Sequence, residues 1–383
     1  MIKIIKGGNL YTPEPIGKSD ILIGGGKILR ISKDIPKIED AEIIDASGKI
    51  IIPGLIDQHV HITGGGGEGG FNTRVPEAQL SSFIKAGITT VVGLLGTDST
   101  TRSVENLVAK AKALNIEGIT AYALTGAYEY PSPTITGSVK RDITFIEEII
   151  GVKIATNDHR DSAISVRELA RLGTEARVAG MLSGKSGHVT VHMGSGKYNM
   201  SEINEAIKLS NLPVTVFRPT HINRKRSLCL ETLEFAKNGG FIDITCGIPS
   251  EISISDILDI AKEENIPLKN ITVSSDGYGS WSSYDDAGNL VKIGVTPIDT
   301  LLAEIKELVS LGHSMKDVIS LFTSNVADAL KISKQKGRLN DGLDADLLIL
   351  NEDLSLYGVI AKGEVLMEGE KILKLGTYEN VVL

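Results

Sequence analysis

The chain has 383 residues, 40 Lys plus Arg against 48 Asp plus Glu, and 42% hydrophobic residues, a composition that excludes a disordered chain, a collagen and a small disulfide scaffold. A formal net charge of -8 and an isoelectric point near 5.5 leave no basic excess to neutralise phosphates, which argues against general affinity for nucleic acid or anionic membrane. Cys229 and Cys246 are too few for a disulfide framework, no apolar stretch approaches the about 20 residues that span a bilayer, and the start MIKIIKGGNL lacks the apolar segment and cleavage site of a leader, so a reducing cytoplasm is the expected address.

Short strands joined by glycine turns are expected first, at Ile2–Ile5, Asp20–Ile23, Lys27–Ser32 and Ile50–Ile52. Apolar or β-branched runs then alternate with amphipathic stretches. The runs are Ile56–His61, Thr89–Leu95, Ile119–Thr125, Val152–Thr156, Val189–Met193, Pro213–Phe217, Phe241–Cys246 and Ile271–Ser275. Helical spacing marks Val104–Leu114, Ser165–Met181, Glu202–Ser210, Leu228–Asn238 and Ile254–Glu264 between them. Four more short strands follow at Ala345–Leu350, Gly358–Ala361, Glu364–Met367 and Lys371–Leu373. The expected α/β architecture is a (β/α)8 TIM-like barrel over 54–344, with 1–53 and 345–383 forming one small β-sandwich domain.

Barrel active sites lie at the C-terminal ends of the strands. Of seven histidines, His59, His61, His192 and His221 fall at or just past the ends of predicted strands one, five and six, and Asp276 ends strand eight. His59 and His61 are two apart on a strand, so both imidazoles share a face and can grip one ion. Lys153 sits in the apolar run 151–155, where burial favours the neutral amine. A neutral amine can capture carbon dioxide, and the resulting carbamate would bridge two metals. Taken singly, these residues also fit hydrogen-bonded core histidines, a lysine reaching solvent and a turn aspartate before Gly277; their convergence favours a two-metal site. Two close metals acidify water and polarise a carbonyl, which points to hydrolysis of an amide-like bond. His188 and His313 read as structural, and His159 is left open.

Gly64 to Gly67 and Glu68 form a loop after strand one without the Lys-Ser or Lys-Thr of a phosphate loop. Glu68 can bind a substrate ammonium, while Arg160 and Arg224, on loops past two ligand strands, can hold carboxylates in bidentate fashion. A small zwitterion with more than one carboxylate would suit all three; solvated surface charges are the alternative for each alone.

Pro53-Gly54-Leu55-Ile56-Asp57 leading into His59-Val60-His61, with the closing Gly342-Leu343-Asp344-Ala345-Asp346-Leu347, resembles the metal-dependent amidohydrolases. Within that superfamily the chain is similar to the isoaspartyl dipeptidase family along essentially its whole length. The narrower likeness rests on Gly64 to Glu68, on Gly126 to Pro131 continuing to Gly137-Ser138-Val139, on Gly151 to Arg160, on His221 to Arg224, and on Ser274 to Ser280.

The resemblance implies that His59, His61 and Asp276 hold one zinc and His192 and His221 the other, with carbamylated Lys153 and a hydroxide bridging the two Zn2+ of each subunit. It also implies that Glu68 meets the α-amino group of an isoaspartyl residue, that Arg160, Arg224 and Ser280 meet carboxylates, that Tyr128 polarises the scissile carbonyl, and that Thr97 adds a substrate contact. Asp276 would serve as general base and then general acid. The expected activity is hydrolysis of β-aspartyl dipeptides by a homo-oligomer with no nucleic-acid or membrane partner. A cyclic-amide hydrolase or N-acyl-amino-acid deacylase on the same metals, and a non-catalytic scaffold, stand as the alternatives.

Overall fold

A computed structural model describes residues 1–285 and 287–379; positions 380–383 of the expected terminal segment lie outside the described residues. Strands β1 (Lys3–Tyr11), β2 (Pro15–Gly24), β3 (Lys27–Ser32), β4 (Glu42–Asp45) and β5 (Ile50–Pro53) come first. Eight strands follow in alternation with helices: β6 (Leu55–Val60), β7 (Ile88–Gly93), β8 (Thr120–Gly126), β9 (Ile149–Thr156), β10 (His188–Met193), β11 (Phe217–Thr220), β12 (Ile242–Thr245) and β13 (Ile271–Ser274). A hairpin of β14 (Ser280–Tyr284) and β15 (Leu290–Val295) comes next, and β16 (Leu347–Leu350), β17 (Leu356–Ala361), β18 (Glu364–Glu368) and β19 (Lys371–Ile372) complete the strands.

Every residue of β6, β7, β9 and β10 is buried, as expected of parallel strands covered on both faces, which read as continuous apolar runs. The helix Val166–Ser183 shows how the outer layer is set. Ser165 caps its first turn in a reciprocal capping box with Glu168, and Leu169, Leu172, Ala176 and Ala179 turn inward.

Strands β6 to β11 form one parallel ladder and β12 with β13 another. Between β13 and β6 the closure is made by single bonds and side chains. His61 N donates to Gly277 O at 2.9 Å, and the Asp57 carboxylate accepts from Ser275 Oγ at 2.5 Å, Ser275 N at 3.3 Å and His59 N at 3.2 Å. The (β/α)8 TIM-like barrel is therefore present as expected.

Besides β4, which no expected strand covers, strand six and one hairpin differ from the sequence reading. Strand six begins at Phe217 because Pro213 opens a single 3-10 turn over Val214–Val216, which uses the apolar run expected as strand. The β14–β15 hairpin was not expected, since its half-exposed Ser-rich strand carries no apolar alternation.

The terminal strands make one nine-stranded sheet, joined where β5 and β16 pair antiparallel from Pro53 opposite Leu347 to Ile50 opposite Leu350. It surrounds its own core, which includes Ile5, Ile21, Ile23, Ile51, Leu347 and Ile349, and is the small sandwich expected from the two termini. Where the sheet meets the barrel, the buried Lys336 ammonium pairs with Asp344 at 2.7 Å and Asp346 at 2.6 Å. Among the described residues no helix is long and apolar enough to cross a membrane.

Candidate active site

The strand ends deliver the expected side chains to one place. A cavity of about 800 Å³ at the C-terminal mouth of the barrel is lined by His61, Glu68, Thr97, Tyr128, Arg160, His192, Arg224, Asp276 and Ser280. His59, Lys153 and His221 lie buried at 1% exposure or less. His221 directly follows β11 and Asp276 stands two residues past β13, and both take left-handed backbone, with φ 61° and 55°. That conformation costs a non-glycine residue about 1 to 3 kcal/mol and persists only where the surroundings hold it.

Donor atoms of His59, His221 and Asp276 lie within 4.8 Å of one another. Asp276 Oδ1 is 3.2 Å from His61 Nε2 and 3.5 Å from His59 Nε2, yet neither approach has hydrogen-bond geometry, and both Asp276 Oδ1 and His61 Nδ1 are buried without a hydrogen-bond partner. Burial drives the imidazoles of His59, His192 and His221 well below their ordinary range, so they present lone pairs. The outward nitrogens of two are fixed. His221 Nδ1 meets Thr245 Oγ1 at 2.8 Å, and His59 Nδ1 meets Thr220 Oγ1 at 3.3 Å. Thr220 in turn donates to Asp243, a buried carboxylate that also accepts from Gln58, Thr272 and Ser274. Neutral imidazoles, an unpartnered buried carboxylate oxygen and a shell of hydroxyl partners suit a divalent transition-metal ion.

Lys153 Nζ lies 3.0 Å from His59 Nε2. Burial brings its amine down to about 7, with Asp276 and Asp243 opposing part of that effect, so this lysine reaches its neutral form near neutral pH.

Around the cluster, Glu68 accepts from Ser280 Oγ at 2.9 and 3.0 Å and faces Arg160 Nη1 at 3.5 Å. Its loop is pinned by Arg102, which is 5% exposed and donates to the carbonyls of Gly64, Gly65 and Val75. Gly64 has φ 79°, and a Cβ there would stand 1.9 Å from Val75 O, so this turn admits only glycine. Tyr128 Oη is 2.6 Å from His192 Nδ1, and burial pushes its hydroxyl far above the usual phenol range despite Arg160 and Arg224. Arg224 Nη1 donates to Met193 O at 3.3 Å.

Sequence reasoning gave Asp158 no role, yet its carboxylate stands at the centre of the cationic wall. Asp158 Oδ1 accepts from Arg160 Nε and Oδ2 from Arg160 Nη2, both at 2.8 Å, and His192 Nε2 lies 3.0 Å from Oδ2. Burial would raise this carboxyl, but the hydrogen bonds from Arg160 and His192 outweigh it and hold the group well below the carboxylate range. The one signal was its place two residues before an arginine on a loop past a ligand strand. Asp57, Asp243 and Arg102 were also unassigned. His188 and His313 bond to Ser186 and Ser255 away from the cluster, while exposed His159 stacks edge-on against Tyr284 of the hairpin, 4.7 Å between centroids.

Residues 50–366 match the profile of the amidohydrolase family. Among solved structures, β-aspartyl dipeptidase from Fervidobacterium islandicum AW-1 in complex with β-Asp-Leu is 42% identical, with a TM-score of 0.94 over 98% of this chain and 99% of that one. A D-hydantoinase with a TM-score of 0.75 at 17% identity shares the fold. Among curated relatives, an adenine deaminase of Clostridium perfringens is 24% identical over 98% of this chain, which spans 61% of that protein's length. An L-hydantoinase of Paenarthrobacter aurescens is 33% identical over 28% of the chain.

Proposed function

This chain belongs to the amidohydrolase family of metal-dependent hydrolases, and from that premise we propose that it hydrolyses the β-aspartyl (isoaspartyl) bond of dipeptides, releasing aspartate and a free amino acid. The observation that carries the reading is one cavity in which Glu68 and the guanidinium groups of Arg160 and Arg224 face a buried donor cluster. A β-aspartyl dipeptide offers one ammonium and two carboxylates to such a wall, whereas a neutral cyclic amide offers it little. The β-Asp-Leu bound by the similar Fervidobacterium islandicum protein supports this choice.

In this reading His59, His61 and Asp276 would hold one Zn2+ and His192 and His221 the other, and Lys153, once carbamylated, would supply them with further oxygen ligands. The ions, when bound, supply carbonyl polarisation and water that ionises near neutral pH. Glu68 binds the substrate ammonium; Arg160, Arg224 and Ser280 bind its carboxylates, and Thr97 adds a contact. The Tyr128 hydroxyl, kept protonated by burial, donates to the scissile carbonyl oxygen as negative charge develops there. Asp276 takes the proton from the attacking water and delivers it to the departing amine nitrogen. The barrel over 54–344 carries this chemistry, the segments 1–53 and 345–383 buttress it, and the protein works as a cytoplasmic homo-oligomer.

The test is paired hydrolysis of β-Asp-Leu and α-Asp-Leu by protein supplied with zinc and bicarbonate, with metal content measured on the same sample. Cleavage of the β isomer alone with about two metals per chain is expected. Two metals without cleavage would discard the substrate, and no metal would point to a scaffold. Arg224→Met is expected to lower kcat/KM for β-Asp-Leu by about a hundredfold or more, the worth of a lost charge-assisted pair; unimpaired turnover would remove the basis for the substrate assignment.

A further inference from the structure

We propose that Asp158 is a positioning residue that ties the substrate-binding guanidinium of Arg160 to the imidazole of His192, so that one buried carboxylate orders both the carboxylate-recognising wall and a metal ligand. The inference rests on the β-aspartyl dipeptidase reading for Arg160 and on the metal reading for His192.

The Asp158 side chain is 5% exposed and all its near neighbours are cationic or can donate. It occupies one bidentate edge of Arg160, Nε with Nη2, at 2.8 Å on both oxygens. That leaves Nη1 directed toward Glu68 and the cavity. Asp158 thus fixes which edge of the fork is offered to an incoming carboxylate, and a planar fork held in this way loses little freedom on binding. The same carboxylate, 3.0 Å from His192 Nε2, can only accept, and it is nearer to that nitrogen than Arg224 Nη1 at 3.3 Å, whose hydrogen also has Met193 O as acceptor, so Nε2 carries the proton and the lone pair of the neutral ring lies on Nδ1. An imidazole that donates its second N–H to a carboxylate is fixed in tautomer and orientation and is a more basic ligand. A surface ion pair with Arg160 alone would need neither the burial nor the second partner.

Asp158→Asn keeps the shape but puts an amide donor against either Arg160 or His192. The expected result is a zinc affinity, measured by chelator competition without substrate, about 10- to 100-fold weaker, together with a KM for β-Asp-Leu raised by about tenfold or more. Asp158→Glu, which restores the charge, is expected to recover part of both. A zinc affinity within twofold of the parent, with only KM raised, would overturn the coupling and leave an Arg160 clamp. Should Asp158→Asn fail to fold, the parent protein still decides the matter: in zinc-loaded protein labelled with 15N-histidine, His192 is expected to carry its proton on Nε2, and a proton on Nδ1 overturns the proposal. The zinc and nitrogen readouts need no substrate, so a failure of the dipeptidase reading would appear separately, as parent protein that binds zinc and leaves β-Asp-Leu intact.

Discussion

A lysine in water stays almost wholly protonated at pH 8, whereas burial behind His59 sets the Lys153 amine at about 7. Its neutral fraction then rises from about one-tenth at pH 6 to about nine-tenths at pH 8, and only the neutral amine attacks carbon dioxide. At a fixed concentration of dissolved carbon dioxide, metal-free protein given zinc is expected to regain activity several-fold faster at pH 8 than at pH 6; equal rates would argue against carbamylation as the activating step. Tyr128→Phe removes the hydroxyl that is proposed to donate to the developing oxyanion. Its kcat for β-Asp-Leu is expected to fall about 10²- to 10³-fold with KM changed little, and steady-state kinetics on the variant checks both. The ligand candidates were legible because each stands at the end of an apolar strand, where a polar side chain is conspicuous. Asp158 was not: its part depends on Arg160 and His192 meeting across two loops, and no spacing along the chain encodes that meeting.

Loops and helices carry the next level of control. The turn at Gly64 and the buried Arg102 together hold the segment that presents Glu68. Gly64→Ala forces a methyl group onto the Val75 carbonyl and is expected to raise KM for β-Asp-Leu by about tenfold or more while the barrel keeps its circular dichroism, since the strain falls on a loop. On the helix Thr300–Ser310, Glu304 has no ion pair among the described residues, and burial together with Glu307 raises its carboxyl to about 7. The folded state therefore prefers the neutral acid. The resulting stability is fully present below the unfolded value near 4.5 and is lost as pH rises through 7. Because the side chain is partly exposed, the loss is about 1 to 2 kcal/mol, and Glu304→Gln is expected to flatten it, as urea midpoints at pH 5 and pH 8 would show. Elements with strong apolar periodicity were readable within a few residues. The β14–β15 hairpin was not, because its strands pair with each other across a polar surface and obey no burial pattern, and strand six was displaced by the turn that Pro213 opens.

At the scale of the molecule, barrel and terminal sheet are fastened by charge as well as by apolar contact. Lys336 is 3% exposed between Asp344 and Asp346, and Lys27 reaches Asp344 from the opposite segment at 2.5 Å. Lys336→Met would leave the buried Asp346 carboxylate without its cation, while Asp344 keeps Lys27, and is expected to cost about 3 to 5 kcal/mol, read as a lower urea midpoint with the proposed metal ligands untouched; an unchanged midpoint would show that the junction is held by packing alone. The alternation of eight strands with helices made the barrel readable, and the matching texture of the two terminal segments announced a shared sheet. Which strands would pair was hidden, because register across so long a separation is decided by the folded barrel that brings the edges together.

That pairing has a consequence for biosynthesis. Strands β1 to β5 leave the ribosome before the barrel has been made, and the edge of β5 acquires its partner β16 only after the last barrel helix has emerged. Through that interval Ile50–Pro53 is an apolar strand with an open edge, able to accept the same strand from another nascent chain. A translational pause shortly before Leu347 would lengthen the exposure, so the yield of native protein should respond to elongation speed in that stretch even where the amino-acid sequence is unchanged.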